Sequence, residues 1–540
     1  GRMKTLLTYA RTLPYLKPWQ VAGRLVAPWR RRWTRLPAVP ESLKPGGSPR
    51  TPFPSHDPWN TTPALRDGTF CFLNTPAHLG RPVDWAAAGQ SLLWRFNLHY
   101  FHYLHLLPPD EQEALCRDWI RHNPPGQGVG WHPYPTSLRL VNWVRAGVSA
   151  PDLLQSLYQQ AAYLARNLET YVYGNHLLEN ARALVLAGTY LDGQGEAGRW
   201  LEKGLALYRR ETREQILPDG GHFERSPMYH ALMLEGYLDV LNVLPTAHPD
   251  RGWLEPIARR MGAALQAFIH PDGELALFND ATQEIAPRPA VLLDYLAALL
   301  GEAPAPAAVL PDTGYFVHRD AAVYLIVDGG APGPSYLMAH AHADIFSYEL
   351  SVQGVPFIVD AGVYEYPAGT MRQYTRSTAA HNTVSVDGYD QIECWGSFRV
   401  ARRAAPRDVR FEAHASGCRF EGAFDGFTPF VGEPVTHHRV VTVIPATRQI
   451  AVADRITGTG RHRAVSRIRL HPDVVVSEGA DGFVLERNGV SVRLEWSDET
   501  GWRWEEGWYC PRFGVRQRCR VLALEAEGAL PQRIDYRLTY

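Results

Sequence analysis

The chain has 540 residues, 45% hydrophobic and 21% charged, which is ample for several buried cores and excludes wholesale disorder. Lys+Arg 55 against Asp+Glu 56 leaves a formal net charge of −1, which argues against a dedicated nucleic-acid binder. No apolar run of roughly 18 residues is present, so no transmembrane helix is expected. In chain order, residues 1–84 read as a basic, Pro-rich N-terminal appendage. Gly1–Arg2 ahead of Met3 read as an appended scar or an alternative start. Residues 1–40 hold nine Lys or Arg, including Arg30-Arg31-Arg32, and no acidic residue. Two readings of that arm stay open: a surface meeting anionic lipid or glycan, or a surface helix over residues 17–27 whose charges are simply solvated. The apolar stretch 5–10 is too short for a secretory h-region, and Arg11 interrupts it. No signal peptide is expected, and the compartment stays open between cytoplasmic, periplasmic and secreted.

Residues 85–305 read as helix after helix, with apolar positions recurring at three and four, as in Leu153, Leu154, Leu157, Ala161 and Leu164. Short Pro/Gly/Asn punctuation separates the helices and makes consecutive ones antiparallel neighbours, in a ring or a solenoid. Around 301–314 the composition turns Pro/Ala-rich, a linker. From 306 to 540, β-branched and aromatic runs such as 323–327, 346–352 and 490–494 alternate with turn signals, which predicts an antiparallel β-sandwich. The six cysteines form no CxxC pair; a Cys510–Cys519 bridge stays open, and otherwise all six read as buried hydrophobes.

Four clusters could carry chemistry. Asn175, His176 and Glu179 fall at a predicted helix start, where exposed amides and a neutral donor suit a carboxylate, or where Asn175 serves only as N-cap. The stretch 219–230, DGGHFERSPMYH, puts Ser226-Pro227 at a helix start and Tyr229 in its first turn; a phenol there could transfer protons if Arg225 or His neighbours lowered its pKa. His340 and His342 lie two apart, Asp360 ends an apolar run, and His381 opens another. Two imidazoles and a carboxylate from adjacent strands match a zinc site, against the alternative of satisfied structural groups. Finally Arg95, His99, Trp131 and Arg139 could line a sugar cleft, stacking rings and binding carboxylate or sulfate, although many such aromatics are ordinary helix packing.

Taken together, NHLLENARAL (175–184), DGGHFERSPMYH (219–230), HAHADIFSYEL (340–350) and RQYTRSTAAHNTVSVDG (372–388) resemble the heparinase II/III family of polysaccharide lyases, relatives of alginate lyases. The resemblance implies an (α/α) toroid followed by an antiparallel β-sandwich, a multidomain α+β chain with its site in the cleft between them. It implies β-elimination at a 4-linked uronic acid of an anionic polysaccharide. Asn175, with His176, matches the position that neutralises the uronate carboxylate; Tyr229 matches the proton-transferring tyrosine; His340 matches a base on the opposite sugar face. His342, Asp360 and His381 match the metal positions of relatives with one structural zinc, with the order of His340 and His342 open. Arg372 and Arg376 are candidate partners of the substrate carboxylate by position only; Glu224 is a further substrate-binding candidate, and Glu179 is a supporting one. Two other readings are carried forward: a glycoside hydrolase using Glu224 and Asp219 as its carboxyl pair, and a non-catalytic glycan-binding protein.

Overall fold

The computed structural model describes residues 2–540, with side chains described from Leu7 onward; the reading of Gly1–Arg2 as an appended start falls outside these side chains. Two helices open the chain, α1 (Arg2–Thr12) and α2 (Pro18–Arg32). The helix anticipated over 17–27 thus runs one turn further, started by Pro18 and closed by a C-cap at Trp33. A small hairpin, Thr69–Phe72 with Thr75–His78, follows.

From Leu92 to Leu300 the chain is helical, and the helices sort into two layers. Leu92–Tyr100, Pro133–Arg145, Gly174–Tyr190, Pro227–Val243 and Pro289–Leu300 touch one another in succession; Pro109–His122, Pro151–Arg166, Ala197–Gln215 and Arg251–Ala267 lie outside them. The cause is local. Short connections make each helix antiparallel to the next, so alternate helices run parallel and their N-termini gather at one end of the ring. The inner layer is therefore apolar nearly all round: Leu177, Leu178, Ala181, Leu184 and Val185 of one helix and Leu234, Tyr237, Leu238 and Leu241 of the next are fully buried.

Strands occupy the chain from Val309 onward. A five-stranded antiparallel sheet, Val309–Leu310, Tyr315–Arg319, Val323–Asp328, Tyr348–Val352 and Val355–Ile358, takes up the first part. An eight-stranded and a four-stranded sheet, sharing a core of Val, Ile, Leu and Phe side chains, make up the rest together with a small hairpin, Cys394–Trp395 with Arg399–Val400. Strands such as Val435–Ile444 and Gln449–Gly458 alternate buried and solvent-facing residues, as a one-face-buried sheet requires. All six cysteines are free, so the Cys510–Cys519 bridge does not form.

Two local expectations differ from what is found. His340 and His342 sit in irregular chain ahead of Tyr348–Val352 rather than on a strand. His381 follows a short 3-10 turn, Thr378–Ala380, and its strand begins only at Val384. Both segments give up ladder hydrogen bonds and are tied instead by side chains, which is what lets their imidazoles aim inward.

Candidate active site and metal centre

A cleft of about 830 Å³ lies where the N-terminal end of the inner helices meets the sheet half. Asn175 and His176 come to it from the start of Gly174–Tyr190, and Tyr229 from the start of Pro227–Val243; His340 enters from the opposite wall. Ser226 caps the second of these helices, its hydroxyl accepting from the Tyr229 N–H at 3.3 Å and donating to the Asp280 carbonyl, with Pro227 at the first helical position. The Tyr229 and His340 rings face each other at 4.1 Å between centroids, and the Tyr229 hydroxyl meets that of Tyr366 at 2.9 Å.

Asn175 is not an N-cap. The cap position belongs to Tyr173 (φ 65°), which makes no side-chain cap bond, and Gly174 also has positive φ. Instead Glu224 occupies the helix N-terminus: one oxygen accepts from the Asn175 backbone N–H at 2.9 Å and both accept from its amide nitrogen at 3.0–3.1 Å. The carboxylate that helix amides and dipole favour there is thus supplied by the protein itself. Gly174 permits the approach, because a Cβ would stand 2.1 Å from Glu224 Oε1.

Asp280, from the irregular stretch after Arg251–Ala267, organises the opposite wall. It accepts from His340 Nδ1 at 2.9 Å, from His342 Nε2 at 2.7 Å and from the Arg372 guanidinium at 2.5 and 2.8 Å. Burial alone would raise its pKa, but Arg372 and the two histidines hold it well below the usual carboxylate range. An ionised carboxylate can only accept, so His340 donates from Nδ1 to Asp280, which turns its Nε2 toward the cleft, 3.6 Å from Glu224 Oε2. His176 pairs with Glu169 at 3.0 Å through Nδ1. Burial would lower its pKa, yet the Glu169 carboxylate raises it above the ordinary histidine value, leaving the half-exposed Nε2 edge as a donor. Tyr229 goes the other way: burial and the neighbouring Tyr366 push its phenol well above 10. Arg225 does not lower it; the guanidinium turns away to the Ala331 and Asp312 carbonyls.

The metal-type cluster is displaced by one residue from expectation. His342 Nδ1, Asp344 Oδ1 and His381 Nε2 are each buried without a partner, and together they offer ligand atoms within 4.8 Å of one another. Asp360 stands behind this triangle, accepting from His381 Nδ1 at 2.7 Å. Asp280 does the same for His342, which burial holds down to about 4 and hence neutral. Each imidazole has its far nitrogen fixed by a carboxylate and its near nitrogen free, the usual support of a ligating histidine. Two imidazoles and one carboxylate at this spacing suit zinc.

Several anticipated substrate contacts lie elsewhere. Arg372 is fully buried on Asp280, and Arg376 is buried with Nε on the Ala341 carbonyl, Nη1 on that of Ser397 and Nη2 without a partner. Arg139 holds Gln160 and the His99 and Gly130 carbonyls, and stacks on Trp119. His99 bonds the Trp85 carbonyl and Trp119, and burial pushes it down to about 3. Trp131 is buried with its N–H on the Asn123 carbonyl, Arg95 holds the Ala86 carbonyl, and Glu179 pairs with Arg182. None of these seven lines the cleft. Asp219, the other half of the hydrolase pair, spends both oxygens on Gly221, Asp312 and Thr313 away from the cleft, which removes that reading. Sequence reasoning missed Asp280, Tyr366 and Glu169. Asp280 had a signal of the kind used for Asp360, an acid closing the apolar run Leu275–Phe278.

A helical toroid set against an antiparallel sandwich, with a phenol and imidazoles converging at the junction, defines the class. The heparinase II/III N-terminus family model matches residues 116–296, and the heparinase II/III-like C-terminal model matches residues 302–537. The chain belongs to the heparinase II/III family. A heparin-sulfate lyase of Pedobacter heparinus is 24% identical over 318 residues, 51% of this chain and 47% of the relative. One of Bacteroides thetaiotaomicron is 23% identical over 359 residues, 55% of this chain and 51% of the relative. The chain thus spans about half the length of the curated relatives it matches. A solved structure titled heparinase III superposes with a TM-score of 0.70 at 16% identity, covering 95% of this chain and 88% of that one. A heparan sulfate lyase from Pedobacter heparinus gives 0.65 at 19%, covering 96% and 88%. These superpositions establish the toroid–sandwich fold.

Proposed function

We propose that the chain is a polysaccharide lyase that cleaves a uronate-containing glycosaminoglycan by β-elimination, leaving a 4,5-unsaturated uronate end. The observation that carries this reading is the meeting of Tyr229 and His340, rings 4.1 Å apart, beside Asn175 and His176 in one cleft. The names of the relatives, heparin-sulfate lyases, point to the same substrate class.

In this reading the uronate carboxylate is received by Asn175 and a protonated His176, which withdraw its charge and acidify the C5 proton. To reach the Asn175 amide the substrate carboxylate exchanges places with Glu224. His340 Nε2 takes the C5 proton, the electron pair forms the C4–C5 double bond, and the C4–O4 bond breaks. Tyr229, held as a neutral phenol by burial, gives its proton to the departing O4. Asp280 keeps His340 in the required tautomer and stabilises the imidazolium that forms. Zinc, held by His342, Asp344 and His381, would fix the segment that carries His340 without taking part in proton transfer.

The test is a panel of uronate polymers followed by near-ultraviolet absorbance. Wild type generates absorbing unsaturated ends, whereas Tyr229→Phe and His340→Ala do not. Saturated reducing ends released without absorbance would reject β-elimination, and oligosaccharide binding without turnover on the whole panel would favour the non-catalytic reading.

A further inference from the structure

The outward face of α2 has the wrong composition for water. Trp19, Leu25 and Trp29 are 54, 71 and 65% exposed, and Trp33, just beyond the helix, is 70% exposed. With Val26 they recur at three and four and form one stripe. The opposite face is the anchored one. Gln20 and Ala27 are buried, and Gly23 lies so close to Tyr171 that a Cβ would come within 2.3 Å of it. The rim is cationic: Arg30 and Arg32 are exposed, and the first acidic residue of the chain is Glu41. Ten of the eighteen large hydrophobic side chains exposed among the described residues fall between Leu7 and Trp33. Such concentration marks an interaction surface rather than scattered exposure.

We propose that α1 and α2 dock on a lipid bilayer bearing anionic headgroups, with the tryptophans and Leu25 at the headgroup–acyl boundary and the arginines on the phosphates. An apolar stripe with a basic rim and aromatic rings is the composition that partitions into that zone. An anionic glycan would satisfy the arginines, but Leu25 and Val26 offer it no hydrogen bond. A second copy of the chain would bring one cationic rim against another. The docked element is also structural to the cleft. Arg11 pairs with Glu393 of the sheet half and Lys17 with Glu214 of the helical half, while Leu16, Gln20 and Arg24 line the cleft wall. Docking therefore sets the cleft about one helix diameter, roughly 10 Å, from the lipid surface, where a chain growing from or tethered to a membrane would be met. The docking does not depend on the lyase reading.

Co-sedimentation of the full chain with phosphatidylcholine vesicles, with and without phosphatidylglycerol, tests this, with tryptophan fluorescence as a second readout. Binding at least tenfold stronger to the anionic vesicles, weakened by salt, is expected, together with quenching of tryptophan emission by bromine-labelled acyl chains. The triple variant Leu25→Ser, Trp29→Ser, Trp33→Ser loses binding at least tenfold while keeping its thermal midpoint and its turnover of soluble polymer. Arg32→Gln costs about fivefold, the worth of roughly one cation at an anionic surface. Four results would overturn the proposal: no sedimentation with either vesicle, no quenching of the wild type, retention on immobilised heparin that the triple variant abolishes, or a dimer that the triple variant dissociates.

Discussion

Tyr229 is a buried phenol whose hydroxyl touches another hydroxyl, and both facts fix its resting state. Burial and Tyr366 push its pKa well above 10, so it enters any reaction with its proton in place. Tyr229→Phe deletes that proton and little else. Turnover is expected to fall by about 10²–10⁴-fold, while stability changes by about 1 kcal/mol for one lost hydrogen bond; an unchanged rate would take the phenol out of the chemistry. His176 sets a pH dependence whose sign follows from Glu169. Its folded pKa lies above the unfolded value near 6.5. The charged form, and the stability it contributes, is fully present below about 6.5 and is lost as pH rises through the folded pKa. Turnover of a uronate polymer is therefore expected to fall on that alkaline side. Glu169→Gln keeps the shape but removes the charge, and should move the descent to lower pH. An identical profile in the variant would mean that His176 does not receive the carboxylate.

At the scale of elements, the site is made of helix starts facing irregular chain. The helix starts were legible because their signals are local: Ser226-Pro227 capping and the three-and-four spacing are both read within one turn. The opposite wall was only half legible. The histidines stand out by type, but their partners Asp280 and Glu169 are chosen by the fold, with Asp280 sixty residues away from His340. Arg372 shows the reverse error: a sequence displays its charge and hides the buried Asp280 that neutralises it. The same blindness put Asp360 among the three candidate ligands, where the fold brings Asp344 to the two imidazoles and sets Asp360 behind His381. At the start of Gly174–Tyr190, Gly174→Ala would place a Cβ against Glu224 Oε1 and Leu337 at positive φ. A loss of about 1–3 kcal/mol is expected from the backbone alone. A fall in KM is also expected, because Glu224, pushed off Asn175, no longer competes with the substrate carboxylate for that amide. Denaturation and steady-state kinetics on one preparation check both, and full stability with unchanged KM would show that Glu224 does not hold the place of the substrate carboxylate on Asn175.

The whole molecule has two large apolar cores, one in the toroid and one in the sandwich, and much of what joins them at the cleft is polar. The two-part architecture was readable because helix and sheet bury residues at different periods, and the period changes near residue 305. The joint was not readable, since it consists of long-range pairs: Asp280 with Arg372, His270 with Glu349, Arg11 with Glu393. A joint of this kind is where a metal has the most to hold. The segments bearing His342 and His381 make few ladder bonds of their own, and the three unpartnered ligand atoms are buried, a costly arrangement without a cation. Chelator-free protein is expected to carry about one zinc per chain. At an excess of about 1,000-fold over Kd, zinc adds about 4 kcal/mol, which for a domain of this size corresponds to roughly 8–16 °C in Tm. Chelation should lower the midpoint by that order and zinc should restore it. Asp344→Ala is expected to abolish stoichiometric binding, whereas Asp360→Asn, which only loosens the support of His381, should weaken it about 10–100-fold. Elemental analysis and melting curves read both. Metal-free protein with no response to chelator would leave the triangle a set of buried polar groups, and equal loss in the two aspartate variants would return Asp360 to the coordination sphere.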